Sequence, residues 1–257
     1  FGYSFAKVLT WTLVWAFFAT FTNFFGGILM AMFINDKKTK FPKFWRTLFM
    51  VTIAVPQFVT LLLVRNFFSN NGIFNTMMAN AGVTDFLHNI GLLDKGLSYI
   101  PFLTQPGWAM FTIIMINIWI GVPYQMLIAT GVLMNIPADM IEAARIDGAN
   151  NWQTLWKITI PNMMSSFTIC IFLTLTNGFK LFDQNLALTG GRPFLQQPDG
   201  SVIKTTEMLA LNIYSAFYSG GGNNRGVGQA KAVVFFILVA AIGLLQLQAT
   251  RKKEVQQ

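Results

Sequence analysis

One cysteine (Cys170) and one histidine (His88) are all that the 257-residue chain holds of either type. A disulfide needs two thiols and a Cys/His zinc site needs several ligands, so neither can form within the chain. Charge is also sparse. Asp, Glu, Lys and Arg make up 11% of the residues, against about a quarter in a soluble domain. Water therefore cannot be the solvent for most of the surface. No Gly-Lys dipeptide occurs, which excludes the phosphate-cradling GxxxxGK[ST] loop and nucleotide binding of that kind. No repeat of short fixed period and no low-complexity tract is present. The first residue is Phe1, and no charged region with a cleavage site precedes the first apolar run. No signal peptide is expected, and the N-terminus reads as trimmed.

What is abundant is apolar. Hydrophobic residues make up 54%, including 26 Phe and 7 Trp. A bilayer core of ~30 Å takes roughly 20 apolar residues as a helix. Five stretches satisfy this: 8–34, 44–68 with Pro56 inside, 108–134 with Pro123 inside, 163–187, and 232–249. Interior prolines are tolerated in such helices, where neighbours re-satisfy the freed carbonyl, and they often mark kinks, whether lining a pathway or set by packing alone. The net charge is +8, and the basic residues stand beside the apolar runs. That placement points to orientation in a bilayer rather than to nucleic acid. Lys37, Lys38, Lys40, Lys43 and Arg46 fill the first connector; Arg145 and Lys157 lie in the third; Arg251, Lys252 and Lys253 follow the last run. With five spans these segments share one side, and the positive-inside rule makes it the cytoplasm. The other side receives 69–107 and roughly 188–231. The latter holds Gly220, Gly222, Asn223, Asn224, Arg225, Gly226 and Gly228, which read as a flexible external loop. Asp183 falls near the outer end of a span, where a structural or gating role suits it, and His88 falls in an external loop.

The connector 135–161 is organised differently from the rest. Pro137 suits the first turn of a helix, and Asp139 and Glu142 lie near its positive end. Met140, Ile141 and Ala144 supply a small apolar face at helical spacing. Gly148 ends the helix, as a residue free to take positive φ. Asn151 is placed to cap a second short helix through Trp152, Leu155 and Trp156, which Pro161 closes while opening the next span. Composition alone allows an ordinary interfacial helix pair.

The spacing is more specific. Glu142-Ala143-Ala144, three residues, Gly148, nine residues, then Ile158-Thr-Ile-Pro161 resembles the EAA signature of binding-protein-dependent ABC importer permeases, with Ile160 where that signature has Leu. The resemblance implies an all-α, polytopic membrane helix bundle of the type I ABC importer permease fold. It forms a single domain over 1–257, with five spans visible and a further N-terminal span expected but missing. It also implies that 135–161 is the coupling helix, docking on a cytoplasmic ATPase subunit through Glu142, Ala143, Ala144, Asp147, Gly148 and Pro161. Other stretches are similar to the carbohydrate branch, in particular to the first permease of maltose-type importers. They are Phe44-Trp-Arg-Thr-Leu leading into Val55-Pro56; Trp119-Ile-Gly-Val-Pro-Tyr124; Phe182-Asp183 before Leu188-Thr-Gly-Gly-Arg-Pro193, where Arg192 interrupts the pattern; and the Ala249-Thr-Arg251 ending.

By that resemblance, Gly121, Tyr124, Thr174, Asn177, Gly178 and Leu181 match positions that contact sugar in mid-membrane. Gly121, Tyr124 and Asn177 also make chemical sense for a sugar, which needs close approach, an aromatic face and neutral hydrogen-bond partners. Each has a plainer reading: an interfacial aromatic for Tyr124, a hydroxyl bonded to its own helix for Thr174, and an interhelical hydrogen bond for Asn177. The implied partners are a second homologous permease, two cytoplasmic ATPase subunits, an external solute-binding protein, the sugar and membrane lipid. No cofactor is expected in this chain, since ATP and Mg would be bound by the ATPase subunits, and no catalytic or metal residue is expected. Three alternatives stay open from the residues: the same importer class with a non-sugar cargo, an ion-coupled secondary transporter, and a membrane scaffold.

Overall fold

The computed structural model describes residues 2–36, 38–196, 200, 202–218 and 225–254. Lys37 and residues 219–224, the heart of the glycine-rich connector, lie outside the described residues. In chain order the elements are α1 (Gly2–Asn35), α2 (Pro42–Ala54), α3 (Gln57–Phe67), α4 (Ile73–Asn80), α5 (Val83–Asn89), α6 (Pro106–Leu133), α7 (Ala138–Ile146), α8 (Asn151–Thr154), a π-turn (Leu155–Thr159), α9 (Ile160–Lys180), α10 (Asp183–Leu188), β1 (Phe194–Gln196), β2 (Val202–Lys204), α11 (Leu209–Tyr218) and α12 (Arg225–Glu254). The strands pair antiparallel as a small hairpin, with Leu195 opposite Ile203; the other elements of the described residues are helical.

Among the described residues, three helical stretches are long and apolar enough to cross a membrane: Phe5–Asn35, Pro106–Leu133 and Arg225–Leu245. Helices α2 and α3 qualify only together, as a broken pair. The second run is thus not one helix. Pro56 has no N–H and its ring clashes with the preceding turn, and the residue before a proline is driven out of the helical region. Pro123, by contrast, is held within continuous α6. Helix α9 is 21 residues long and ends earlier than expected, the chain leaving the helix at Leu181 and Phe182 before α10 begins. Asp183 opens α10, where a carboxylate suits the positive helix end, and it is exposed.

The chain divides into two compact units. One comprises Phe1–Trp15, Val55–Ile116 and Phe179–Ala232, the other Ala16–Ala54, Asn117–Gly178 and Val233–Gln257. The first unit is stitched by buried polar groups. Asn185 donates from Nδ2 to the Thr206 carbonyl at 2.6 Å, and that carbonyl also accepts from Trp11 Nε1 at 3.1 Å. Gln184 Nε2 reaches the Ile113 carbonyl at 3.0 Å. Glu207, buried, accepts from Lys204 Nζ at 3.1 Å, Ser215 Oγ at 3.1 Å and Asn212 Nδ2 at 2.8 Å. Asn75 is buried too, donating to the Ile100 carbonyl and accepting from its N–H. His88 Nε2 bonds the Leu97 carbonyl at 2.9 Å.

The second unit has a core of Phe24, Ile28, Ala31, Ile34, Met126, Ala129 and Met163. Here α1 and α6 approach backbone to backbone. A Cβ on Gly27 would stand 2.6 Å from Gln125 Cβ and 2.8 Å from its carbonyl carbon. Small residues at such crossings are how membrane helices gain contact when lipid is as apolar as leucine. The pattern on α1 is inverted relative to a soluble helix. Thr12, Thr20 and Asn23 are buried, while Phe17, Phe18, Phe21, Phe25 and Phe33 are exposed. Those three polar side chains are turned away from the exposed surface, whereas Thr10 and Thr22, nearer the surface, bond carbonyls of their own helix.

Candidate functional site

The connector folds as a helix, a tight stop and a second helix. Helix α7 follows Pro137, which makes no side-chain cap, and runs to Ile146 with Asp147 as its C-cap. Gly148 takes φ +81°. Its N–H bonds the Arg145 carbonyl at 3.1 Å, and the N–H of Ala149 bonds the Ala144 carbonyl at 2.9 Å. This pair of bonds is the Schellman stop, which needs a left-handed residue at that position. The next helix is capped by Asn150, one residue earlier than the sequence suggests. Asn150 Oδ1 accepts from the Gln153 N–H at 2.8 Å, and Gln153 Oε1 accepts from the Asn150 N–H at 2.9 Å. The two side chains form a reciprocal capping box.

Pro161 does not break the chain into separate helices. It sits in the first turn of α9, and the turn before it, Leu155–Thr159, is a π-helix. A proline lacks the N–H its fourth predecessor would use, and a widened turn absorbs the misfit.

The connector also carries an exposed surface. Glu142, Ala143, Asp147 and Gly148 are exposed, and only Ala144 of α7 is buried. Ile146 is 86% exposed, Trp152 63% and Trp156 47%. The two indoles meet edge to face, 5.6 Å apart. Large apolar side chains left open in this way suit contact with a partner surface or with the lipid interface. Nothing lies within 4 Å of a Cβ built on Gly148, so that glycine answers to backbone conformation and not to crowding inside the chain.

The six positions matched to sugar contact divide between the units. Gly121 and Tyr124 lie on α6, and Thr174, Asn177 and Gly178 on α9, all in the second unit; Leu181 follows α9 in the first unit. Tyr124 is 56% exposed, and Asn177 is exposed. Gly178 lies against α1, with Ala16 Cα 3.5 Å from the place of its Cβ. Gly121 is covered by Asn23 of α1, whose Cγ and Oδ1 stand 2.5 and 2.7 Å from where a Cβ would be. Asn23 donates from Nδ2 to Asn117 Oδ1 at 2.8 Å. Asn117, Gly121 and Tyr124 follow one another at i, i+4 and i+7, so they share a face of α6. Sequence reading missed Asn23 and Asn117. The available signal was two amides within long apolar runs, which membrane helices keep for contacts among themselves or with a ligand. Among the described residues no cluster of His, Cys, Asp and Glu could hold a metal.

Residues 23–251 match the family described as binding-protein-dependent transport system inner membrane component. The chain is 39% identical over 174 residues to the starch degradation products transport system permease protein AmyD of Thermoanaerobacterium thermosulfurigenes, covering 68% of this chain and 53% of that protein. It is 31% identical over 248 residues to the galactooligosaccharides transport system permease protein GanP of Bacillus subtilis, covering 96% of this chain and 55% of the relative. The chain thus spans about half the length of these relatives. Its fold matches a chain of the bacterial alginate ABC transporter solved with a pentasaccharide-bound periplasmic protein. The TM-score is 0.79 at 23% identity, with 98% of this chain and 80% of that chain covered. The motif-bearing connector, the run of membrane-length helices and the match over 23–251 lead to one conclusion: the chain belongs to the inner-membrane permease family of binding-protein-dependent ABC transport systems.

Proposed function

We propose that this chain is one permease subunit of an ATP-driven importer. It moves an oligosaccharide of maltodextrin type across the cytoplasmic membrane by alternating access. The observation that carries the reading is the connector: a helix pair, stopped at Gly148 and leaving Glu142, Ile146, Trp152 and Trp156 exposed for a partner. Two cytoplasmic ATPase subunits would provide that partner surface. They would hold ATP and Mg and carry out the hydrolysis, leaving the permease with no cofactor and no covalent step. Closure of the ATPase pair would pull on α7, and the π-turn joined directly to α9 would carry the pull into the membrane. A second, homologous permease would complete the passage, and an external solute-binding protein would deliver the cargo. The C-terminus and the 135–161 connector would then both be cytoplasmic.

The cargo class rests on a neutral site and on the relatives. Tyr124 offers a ring for a sugar face, Asn177 offers an open amide, and Gly121 and Gly178 keep helices close. No charged residue occurs at 117–134 or 163–179. A phosphorylated cargo would call for arginine or lysine there. The relatives AmyD and GanP carry names for starch products and galactooligosaccharides.

The test is reconstitution of the assembled transporter in vesicles with its binding protein. The expected result is ATP-dependent accumulation of maltotriose. Accumulation driven by an ion gradient without ATP would overturn the proposal.

A further inference from the structure

We infer that α1 forms a wall of the cargo passage, with Asn23 and Thr20 supplying oxygen atoms that pair with cargo hydroxyls. The inference rests on the oligosaccharide reading above and adds two residues to its site.

Four threonines of α1 provide an internal comparison. Thr10, Thr12 and Thr22 each donate their hydroxyl to the carbonyl four residues earlier, at 2.8, 2.7 and 2.6 Å. A helix always offers that acceptor, and in lipid a hydroxyl has few others. Thr20 departs from the pattern. It is 1% exposed, and its Oγ1 has no hydrogen-bond partner. One turn on, Asn23 is 6% exposed; its Nδ2 is satisfied by Asn117 while its Oδ1 is buried and unpaired. Two unpaired polar atoms three residues apart share a face of α1. Leaving such atoms unpaired is costly, and sequences keep that cost where a ligand relieves it.

The position of this face fits the role. Asn23 lies directly over Gly121, in line with Tyr124 on α6, and Ala16, one turn before Thr20, touches Gly178 on α9. The stripe of Ala16, Thr20 and Asn23 therefore touches both helices that hold the sequence-predicted sugar positions. Within α1 from 16 to 35, and within α6 from 117 to 133, no residue is charged. A neutral set of amides and hydroxyls has nothing to neutralise an ion but matches a polyhydroxyl cargo, which both donates and accepts.

The experiment compares wild type with Thr20→Val and Asn23→Leu, both close in volume to the native side chain. The whole transporter is reconstituted in vesicles with its binding protein, and uptake of maltose, maltotriose and maltotetraose is measured over a concentration series. Direct contact predicts a KM raised about three- to tenfold in each variant, the size of one lost hydrogen bond, with Vmax changed less. It also predicts an effect that differs among the three sugars. If wild type transports these sugars and Thr20→Val keeps the wild-type KM for all three, the inference falls and the cargo reading stands. The same holds if both variants lower only Vmax, equally for every sugar, as a packing role would. If wild type takes up none of them, the cargo reading falls and carries the inference with it. Should Asn23→Leu fail to assemble, Thr20→Val decides alone.

Discussion

The N–H of Ala149 reaches back to the carbonyl of Ala144 at 2.9 Å, a bond that exists only because Gly148 between them stands at φ +81°. A residue with a Cβ pays about 1 kcal/mol or more to hold that conformation. Because no atom crowds Gly148, the penalty is purely conformational. Asparagine tolerates the left-handed region better than valine. Gly148→Val is therefore expected to leave the protein inserted but to weaken co-purification of the ATPase subunits or uncouple hydrolysis from uptake. Gly148→Asn should restore part of the loss. Glu142→Lys should resemble Gly148→Val by reversing charge on the same exposed surface. Pull-down of the ATPase with each variant, beside binding-protein-stimulated hydrolysis, makes the comparison. Full stimulation and uptake in both Gly148→Val and Glu142→Lys would remove the connector as the coupling element.

Much of this connector was legible because its signals are local. Gly148 could be read as a stop, since few residues other than glycine accept positive φ cheaply. The cap was read one residue late, because Asn150 and Asn151 look alike until Gln153 is seen facing the first of them. Pro161 was read as closing the short helix and opening the next span; it does stand in the first turn of α9, but a π-turn lets the helix run on into it without a break, a solution that depends on geometry beyond the proline itself. Five apolar runs were visible from composition. Composition does not register where Pro56 splits a run or where α9 stops, because both depend on what receives the freed carbonyls. Asn23 was missed for a different reason. A single amide in an apolar helix acquires meaning only from its neighbour, and Asn117 lies 94 residues away in sequence.

Orientation is checked by chemical labelling. With Cys170 replaced by Ser, single cysteines at Lys38 and Lys252 are expected to resist a membrane-impermeant thiol reagent in intact cells. Cysteines at Asn80 and Asp94, both exposed in the 69–107 connector, should react. Asn75 is unsuitable as a reporter despite its polar character, because its side chain is buried against Ile100. Labelling of Lys38→Cys from outside would invert the topology and place the 135–161 connector on the wrong side for an ATPase.

Tyr124→Ala and Asn177→Ala test the open side of the cargo site. Both side chains are exposed, so truncation creates no cavity in the fold. The expected loss is one stacking surface in the first case and one hydrogen-bond partner in the second. Each is worth roughly 1–3 kcal/mol when closed over by a ligand. Uptake should fall at limiting sugar, with the ATPase still attached. Wild-type uptake across the full concentration range in both variants would remove these two positions from the site.

Glu207 provides a test of stability that is separate from transport. Its carboxylate is buried and accepts from Lys204, Ser215 and Asn212, and Asn212 in turn accepts from Lys231 Nζ at 2.8 Å. One carboxylate therefore joins the β2 end of the hairpin to α11, and through Asn212 to α12. Gly191, at φ +85°, leaves room for this cluster, since a Cβ there would stand 3.1 Å from both Glu207 Cβ and Lys204 Cδ. Glu207→Ala leaves a partly buried ammonium with only the Ser215 hydroxyl, at 3.2 Å, and removes an acceptor for three donors. Removing one partner of a buried pair typically costs about 3–5 kcal/mol, whereas replacing both with apolar groups costs much less. Lys204 is partly open to water, with its side chain 29% exposed, which places the expected loss at or below the bottom of that range. The ordering is the sharper expectation: Glu207→Ala should lower the unfolding temperature of the purified protein more than the double variant Glu207→Ala with Lys204→Met. Additive losses in the double variant would mean that the two residues act independently, and the ion pair would not be what holds the hairpin to α11.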